Sequence, residues 1–141
     1  MANPQNTTAL PRNAKAAPRT NSMATIAWIA AWALPGLGHF IQHRWIRGLL
    51  IMTAIFVMFF CGLAMQGKVY AFNTGDLLDV LGFIGDLGTG LLYFVARMMN
   101  WGIGNIRFAI ADYGTKYIVV AGLLNVVAAV DAYHIAIGKK Q

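Results

Sequence analysis

The sequence predicts an all-α integral membrane protein, a helical bundle of about four transmembrane helices with the first one broken at Pro35. Three observations predict it. Four apolar stretches, each about as long as a bilayer is thick, make up most of the 141 residues. Hydrophobic residues are 58% of the chain and charged residues only 11%, against about 25% charged in soluble domains. Mean hydropathy is +0.57, and there is no pattern of short alternating strands that would point to an outer-membrane barrel.

Residues 1–22 are polar, rich in Asn, Pro, Ala and Thr, and carry Arg12, Lys15 and Arg19. They read as a disordered basic tail preceding a single transmembrane domain over residues 23–141. The first stretch is Ala24 to Ile41. Pro35 lacks a backbone donor, and Gly36 and Gly38 follow it, so a helix here kinks or ends near Leu34. A signal peptide is a competing reading of this segment, with Ala31 and Ala33 at cleavage spacing, but the apolar character continues past them and three more stretches follow. The turn from Gln42 to Arg47 then leads into the second stretch, Gly48 to Met65, which is free of charge.

Gln66 to Asp79 is a polar connector. The third stretch, Val80 to Ala96, contains Asp86; a second connector spans Asn100 to Lys116, and the fourth stretch runs from Tyr117 to Ile137. Trp45, Tyr70, Trp101, Tyr113 and Tyr117 flank the stretches, as an aromatic belt requires. Orientation stays open between two arrangements. Four full spans leave basic residues nearly balanced across the membrane. A re-entrant first segment, broken at Pro35, instead gathers the tail, Arg44, Arg47, Arg97, Arg107 and Lys116 on the inner side.

The net charge of +6 suits anionic lipid headgroups. Nucleic-acid binding is excluded as a reading because no basic stripe lies on a polar fold. The lone Cys61 excludes an internal disulfide and a cysteine-rich metal site. There is no nucleophile triad, phosphate loop or dinucleotide fingerprint, so no catalytic residue and no cofactor is expected.

Asp86 is the candidate polar site. A charge at membrane depth costs at least a few kcal/mol, so it must face a partner helix or a wet pocket. Gly82, Asp86 and Gly90 recur every fourth residue and share one face. Asn125 sits among Ala121, Ala128 and Ala132 on the fourth stretch, placed to hydrogen-bond across to the Gly-rich face of the third. Asp86 then reads either as a proton or cation site or as a carboxyl group locked into helix packing. His39 and His43 would share a face on a continuous helix, but two histidines leave a metal sphere incomplete, and no metal is expected. Asp131 and His134, three apart, fit an interfacial pair.

Two segments carry a family likeness. Leu34-Pro35-Gly36-Leu37-Gly38-His39-Phe40, with Arg47-Gly48-Leu49-Leu50, resembles the entry motif of small bacterial membrane proteins related to the two-helix transmembrane domain. Tyr113-Gly114-Thr115, Ala121–Asn125 and Asp131–Lys140 resemble the close of an uncharacterised bacterial family. Phe40 stands where related domains often have Tyr. The likeness implies a bacterial inner-membrane protein and an interfacial motif of Pro35, Gly36, Gly38, His39, Arg44, Arg47 and Asp131. It would bring Asp131 to the face of Arg44 and Arg47, which three plain spans forbid and an additional re-entry permits.

The expectation is a non-catalytic multi-pass protein acting through association with itself, with another membrane protein or with lipid. The rival is a small transporter or ion-conducting protein using Asp86.

Overall fold

The computed structural model describes residues 21–73, 75–103 and 109–138. The expected tail, apart from its last two residues, lies outside them, as do Arg107, Lys139 and Lys140. The described residues form six α-helices and no strand: α1 (Asn21–Ala33), α2 (Leu37–Ile41), α3 (Trp45–Ala64), α4 (Leu77–Leu87), α5 (Leu91–Met98) and α6 (Ala109–Ala136).

Helix α1 ends where Pro35 dictates. The amide of Leu34 makes the last bond back, to Ala30 O at 3.0 Å, and Gly36 turns the chain at φ +82°. α2 then folds back against α1. Gly38 is wedged between Ala31 and Ala132, where an added Cβ would lie 2.6 and 2.8 Å from their methyl groups. α3 carries 20 residues and is about 30 Å long, and α6 carries 28 and is about 42 Å long. The side chain of Asp76 caps α4 by accepting from Leu78 N at 3.1 Å. Gly88-Thr89-Gly90 then breaks the helix, with Gly90 at φ +64°, and α5 leaves at 111° to α4.

α6 is the axis of the molecule. α3 lies antiparallel to it: Gly62 meets Gly114 and Ile118 at one end, and Ile51 and Ile55 face Leu124 and Ala128 further along. α1 is also antiparallel, with Ala24 and Ala27 packed near Ala136 and Ala31 near Ala129 and Ala132. α4 runs parallel to α6, with Gly85 against Val119 and Gly88 against the Gly122 carbonyl. Small residues on α6 make these approaches possible, and Gly114, Ala121, Gly122, Ala129 and Ala132 are all buried.

The short helices therefore approach from opposite ends of α6 and stop near its middle. α1 starts at the end that holds Arg44, and α2 returns there, where the Gln42 side chain donates to Ala132 O at 2.8 Å. α4 starts at the end that holds Tyr70. The chain after α5 returns there too: Val69 N donates to Gly102 O at 2.9 Å, and the Trp101 ring meets Phe60 at 6.4 Å.

Where the sequence predicts about four transmembrane helices with the first broken at Pro35, the described residues hold two kinds of element. Among the described residues α3 and α6 are long and apolar enough to cross a membrane, and three spans result if α4 and α5 count as one broken span. The physical cause is punctuation inside the apolar runs. Pro35-Gly36 halves the first stretch, and Gly88-Thr89-Gly90 halves the third.

Candidate functional site

The two breaks meet at one side chain. Helix ends leave their last carbonyls without intrahelical partners. The amide nitrogen of Asn125, on α6, donates to Trp32 O of α1 at 2.8 Å and to Gly88 O at the end of α4 at 2.9 Å. One amide group thus serves the C-terminal ends of both short helices. Both ends carry the negative pole of a helix dipole. Gly90 belongs to the same junction: a Cβ there would overlap the Trp32 carbonyl, and Ala33 O lies close by.

Asp86 lies one turn before the α4 break and is completely buried. Its Oδ2 accepts from the Tyr70 amide at 2.7 Å. Its Oδ1 has no hydrogen-bond partner among the described residues, and neither does Oδ1 of Asn125. Thr89, also buried, donates through its hydroxyl to the Asp86 carbonyl at 2.7 Å. The hydroxyl of Tyr93, from α5, donates to Tyr70 O at 3.2 Å and fixes the segment that reaches Asp86. Burial first, then the charges of Asp79 and Asp86, push the Tyr70 phenol above its usual range, so it stays protonated. Lys68 and Asp79 form an ion pair at 3.7 Å.

The expected face of Gly82, Asp86 and Gly90 is corrected in its partners. Gly82 is covered by the Tyr70 ring and Gly90 by the end of α1, while Gly85 and Gly88 make the contact with α6. The face is turned by one residue because the Tyr70 segment takes one side of α4. The bond from Asn125 to the Gly-rich stretch is present, at Gly88.

A second polar cluster sits toward the Arg44 end. His39 is 1% exposed, and its Nε2 lies 3.4 Å from Asp131 Oδ2. Its Nδ1 has no hydrogen-bond partner among the described residues, nor does Gln42 Oε1. Pro35, Gly36 and Gly38 are buried and build the turn that delivers His39 to α6. Arg44 caps the start of α3 half-buried, and Arg47 is exposed one turn on. Asp131 therefore does share an end of the molecule with Arg44 and Arg47, because α4 and α5 turn back rather than cross. The His39–His43 face is not formed: α2 stops at Ile41, and His43 is exposed at φ +60°. His134 turns to Tyr133, its ring 6.1 Å away, whereas the partner of Asp131 is His39. That pair spans 92 residues, and no local spacing announces it. A groove of about 300 Å³ between α3 and α6, lined by Ile51, Ile55, Leu124 and Ala128, opens beside Asp131. Among the described residues no group of three or more His, Cys, Asp or Glu is arranged to hold a metal ion.

Comparison with protein families matches residues 26–141 to a family of unknown function (DUF6677). Comparison with curated proteins and with solved structures gives no match.

Proposed function

We propose, for a chain that belongs to this family of unknown function, that it is a multi-pass protein of the bacterial inner membrane which binds a proton or a small monovalent cation in mid-bilayer, at Asp86 beside Asn125. The observation that carries the reading is the free Oδ1 of a fully buried Asp86, set against two helix C-termini that stop at Asn125. In lipid, non-helical backbone is tolerated only when it is buried in protein or lines a polar cavity. Membrane proteins that handle ions use such interrupted helices, with the carbonyl ends turned toward the cation. An intramembrane acid is costly and is by default a functional group.

In this reading α3 and α6 cross the bilayer. The α1–α2 hairpin dips in from one side and the α4–α5 hairpin from the other. Charge supports a cytoplasmic Arg44 end. Arg44 and Arg47 lie there, against Asp131. The opposite side carries Lys68, Arg97 and Lys116, offset by Asp76, Asp79 and Asp112.

Association through small-residue faces is the first expectation from sequence, and the packing of those glycines within the chain favours Asp86 over it. Gly82, Gly85, Gly88 and Gly90 are each occupied within the chain. Lipid remains the solvent of the exposed apolar side chains, such as Leu50, Leu81 and Val127.

The test is difference infrared spectroscopy of the full-length protein in lipid. A carboxyl C=O band that titrates with pH, that monovalent salt displaces or leaves in place, and that Asp86→Asn removes, is the expected result. If wild type and Asp86→Asn give the same titration, the reading fails.

A further inference from the structure

The two long helices do not close on each other along their whole length. Toward the Arg44 end the groove of about 300 Å³ separates them, walled by Ile51, Ala54 and Ile55 on α3 and by Leu124, Val127 and Ala128 on α6. Asp131 is the lining residue nearest that end and forms the mouth. From Leu124 to Asp131 the α6 wall rises about 10 Å. Every wall residue below the mouth is apolar, and Ala54, Leu124 and Val127 are exposed, so the slot opens sideways to the hydrocarbon.

The mouth carries opposite charges on its two walls. Asp131 stands on α6, its side chain 29% exposed. Arg47, also exposed, precedes Ile51 by four residues and so stands one turn beyond it on the same face of α3. The antiparallel register, in which Gln42 reaches the carbonyl of Ala132, brings that turn to about the level of Asp131. Beside Arg47 lies a cleft of about 450 Å³ lined by His43, Arg44, Trp45 and Ile46, and the first turn of α3 carries no acid. A headgroup seated here meets guanidinium groups on one side and a carboxylate on the other, above an apolar slot.

We propose that this groove is a binding site for one molecule of phosphatidylethanolamine, with its phosphate on Arg47 and Arg44, its primary ammonium at Asp131 and one acyl chain between α3 and α6. The inference stands apart from the reading of Asp86 and survives its failure.

Charge complementarity selects this lipid. The planar fork of a guanidinium matches phosphate oxygens, and basic pockets between membrane helices hold lipid headgroups. That much would suit a purely anionic lipid equally well. The carboxylate in the groove decides against it, since a headgroup without a cation would bring a second negative charge beside Asp131. An ammonium group carries three N–H donors, whereas the quaternary nitrogen of phosphatidylcholine has none. A carboxylate accepts at about four lone-pair sites, which accommodates an ammonium together with His39 Nε2 at 3.4 Å. The apolar walls then require that the headgroup arrive with its acyl chain attached.

The test is native mass spectrometry of the full-length protein released from nanodiscs holding equal amounts of phosphatidylethanolamine, phosphatidylglycerol and phosphatidylcholine. One phosphatidylethanolamine per chain is expected, retained about tenfold over either competitor, the order of one charge-assisted hydrogen bond. Asp131→Asn should erase the preference over phosphatidylcholine, and Arg47→Gln should lower retention of phosphatidylethanolamine. Ala54→Phe fills the slot while leaving both charges in place, and should release the lipid. Water-soluble glycerophosphoethanolamine should not compete. Equal retention of the three lipids, a preference for phosphatidylglycerol, or a preference that survives Asp131→Asn overturns the site. So does displacement by the soluble headgroup, or a dimer that carries no lipid. If Asp131→Asn does not fold, wild-type selectivity and Ala54→Phe decide the matter.

Discussion

Replacing Asn125 by leucine removes two hydrogen bonds with one substitution. The carbonyls of Trp32 and Gly88, now 2.8 and 2.9 Å from the amide nitrogen, lose their donor in a fully buried place. A bare buried carbonyl costs about 1–3 kcal/mol, while polar contacts inside membrane proteins measure about 0.6–1.7 kcal/mol because the lipid-embedded unfolded chain finds other partners. Taking roughly 1.5 kcal/mol for each carbonyl gives a loss of about 3 kcal/mol. Leucine also removes the partnerless Oδ1, which returns roughly 1 kcal/mol. The net expectation is a destabilisation of about 2 kcal/mol, near thirtyfold in the unfolding equilibrium. Reversible unfolding in mixed micelles, followed by circular dichroism, measures it. Asn125→Asp should be worse still, since a carboxylate would face two carbonyls. Val127→Leu, on the exposed side of α6, should stay within about 0.5 kcal/mol of wild type. An Asn125→Leu protein as stable as Val127→Leu would refute the idea that this amide ties the two short helices to α6.

Further substitutions probe the rest of the arrangement. Gly90→Ala places a Cβ on the Trp32 carbonyl at φ +64°, and a loss of about 2 kcal/mol in the same unfolding assay is expected; an unchanged midpoint would mean that the α1 and α4 ends do not touch. Gly122→Val drives a side chain into the Gly85 carbonyl and should abolish recovery of folded protein by size-exclusion chromatography, whereas Leu123→Val, at an exposed neighbour, should not. In a Cys61→Ala background, single cysteines at Arg44 and Gly138 should resist a membrane-impermeant thiol reagent in intact cells while Asn73 and Asn100 label. Labelling of Arg44 together with Asn100, and not Asn73, would restore four plain spans.

The long second and fourth stretches were legible because nothing interrupts them: α3 and α6 fall within two residues of the Gly48–Met65 and Tyr117–Ile137 runs at their C-terminal ends. The stop at Pro35 was equally plain, since a missing donor has one consequence in a helix, and α1 ends at Ala33. The third stretch misled. Gly82, Asp86 and Gly90 read as a packing stripe, yet Gly88-Thr89-Gly90 is a helix stop, and α5 turns away behind it. The tandem of two glycines around a threonine was the available clue. Asn125 could be aimed at the Gly-rich stretch from its place among alanines, but its second partner, a carbonyl 93 residues earlier, depends on where α1 stops. The partner of Asp86 is a backbone amide at Tyr70, and backbone groups carry no residue signature. His39 and Asp131 meet only because both hairpins turn back, and hydropathy alone does not distinguish a turn-back from a crossing.

The Asn125 amide also sets an order of assembly. Its partners precede it by 93 and 37 residues, so both hairpins leave the ribosome before the helix that receives them. Until α6 arrives, the broken ends of α1 and α4 have no donor at depth, and lipid supplies none. Each hairpin should therefore wait at the headgroup level, where water serves its carbonyls, and sink only when the last helix is inserted. A chain halted after α5 but before residue 125 should behave as one anchored helix with two surface-bound arms. The final quarter of this small protein thus decides, after most of it is made, how deep the rest will lie.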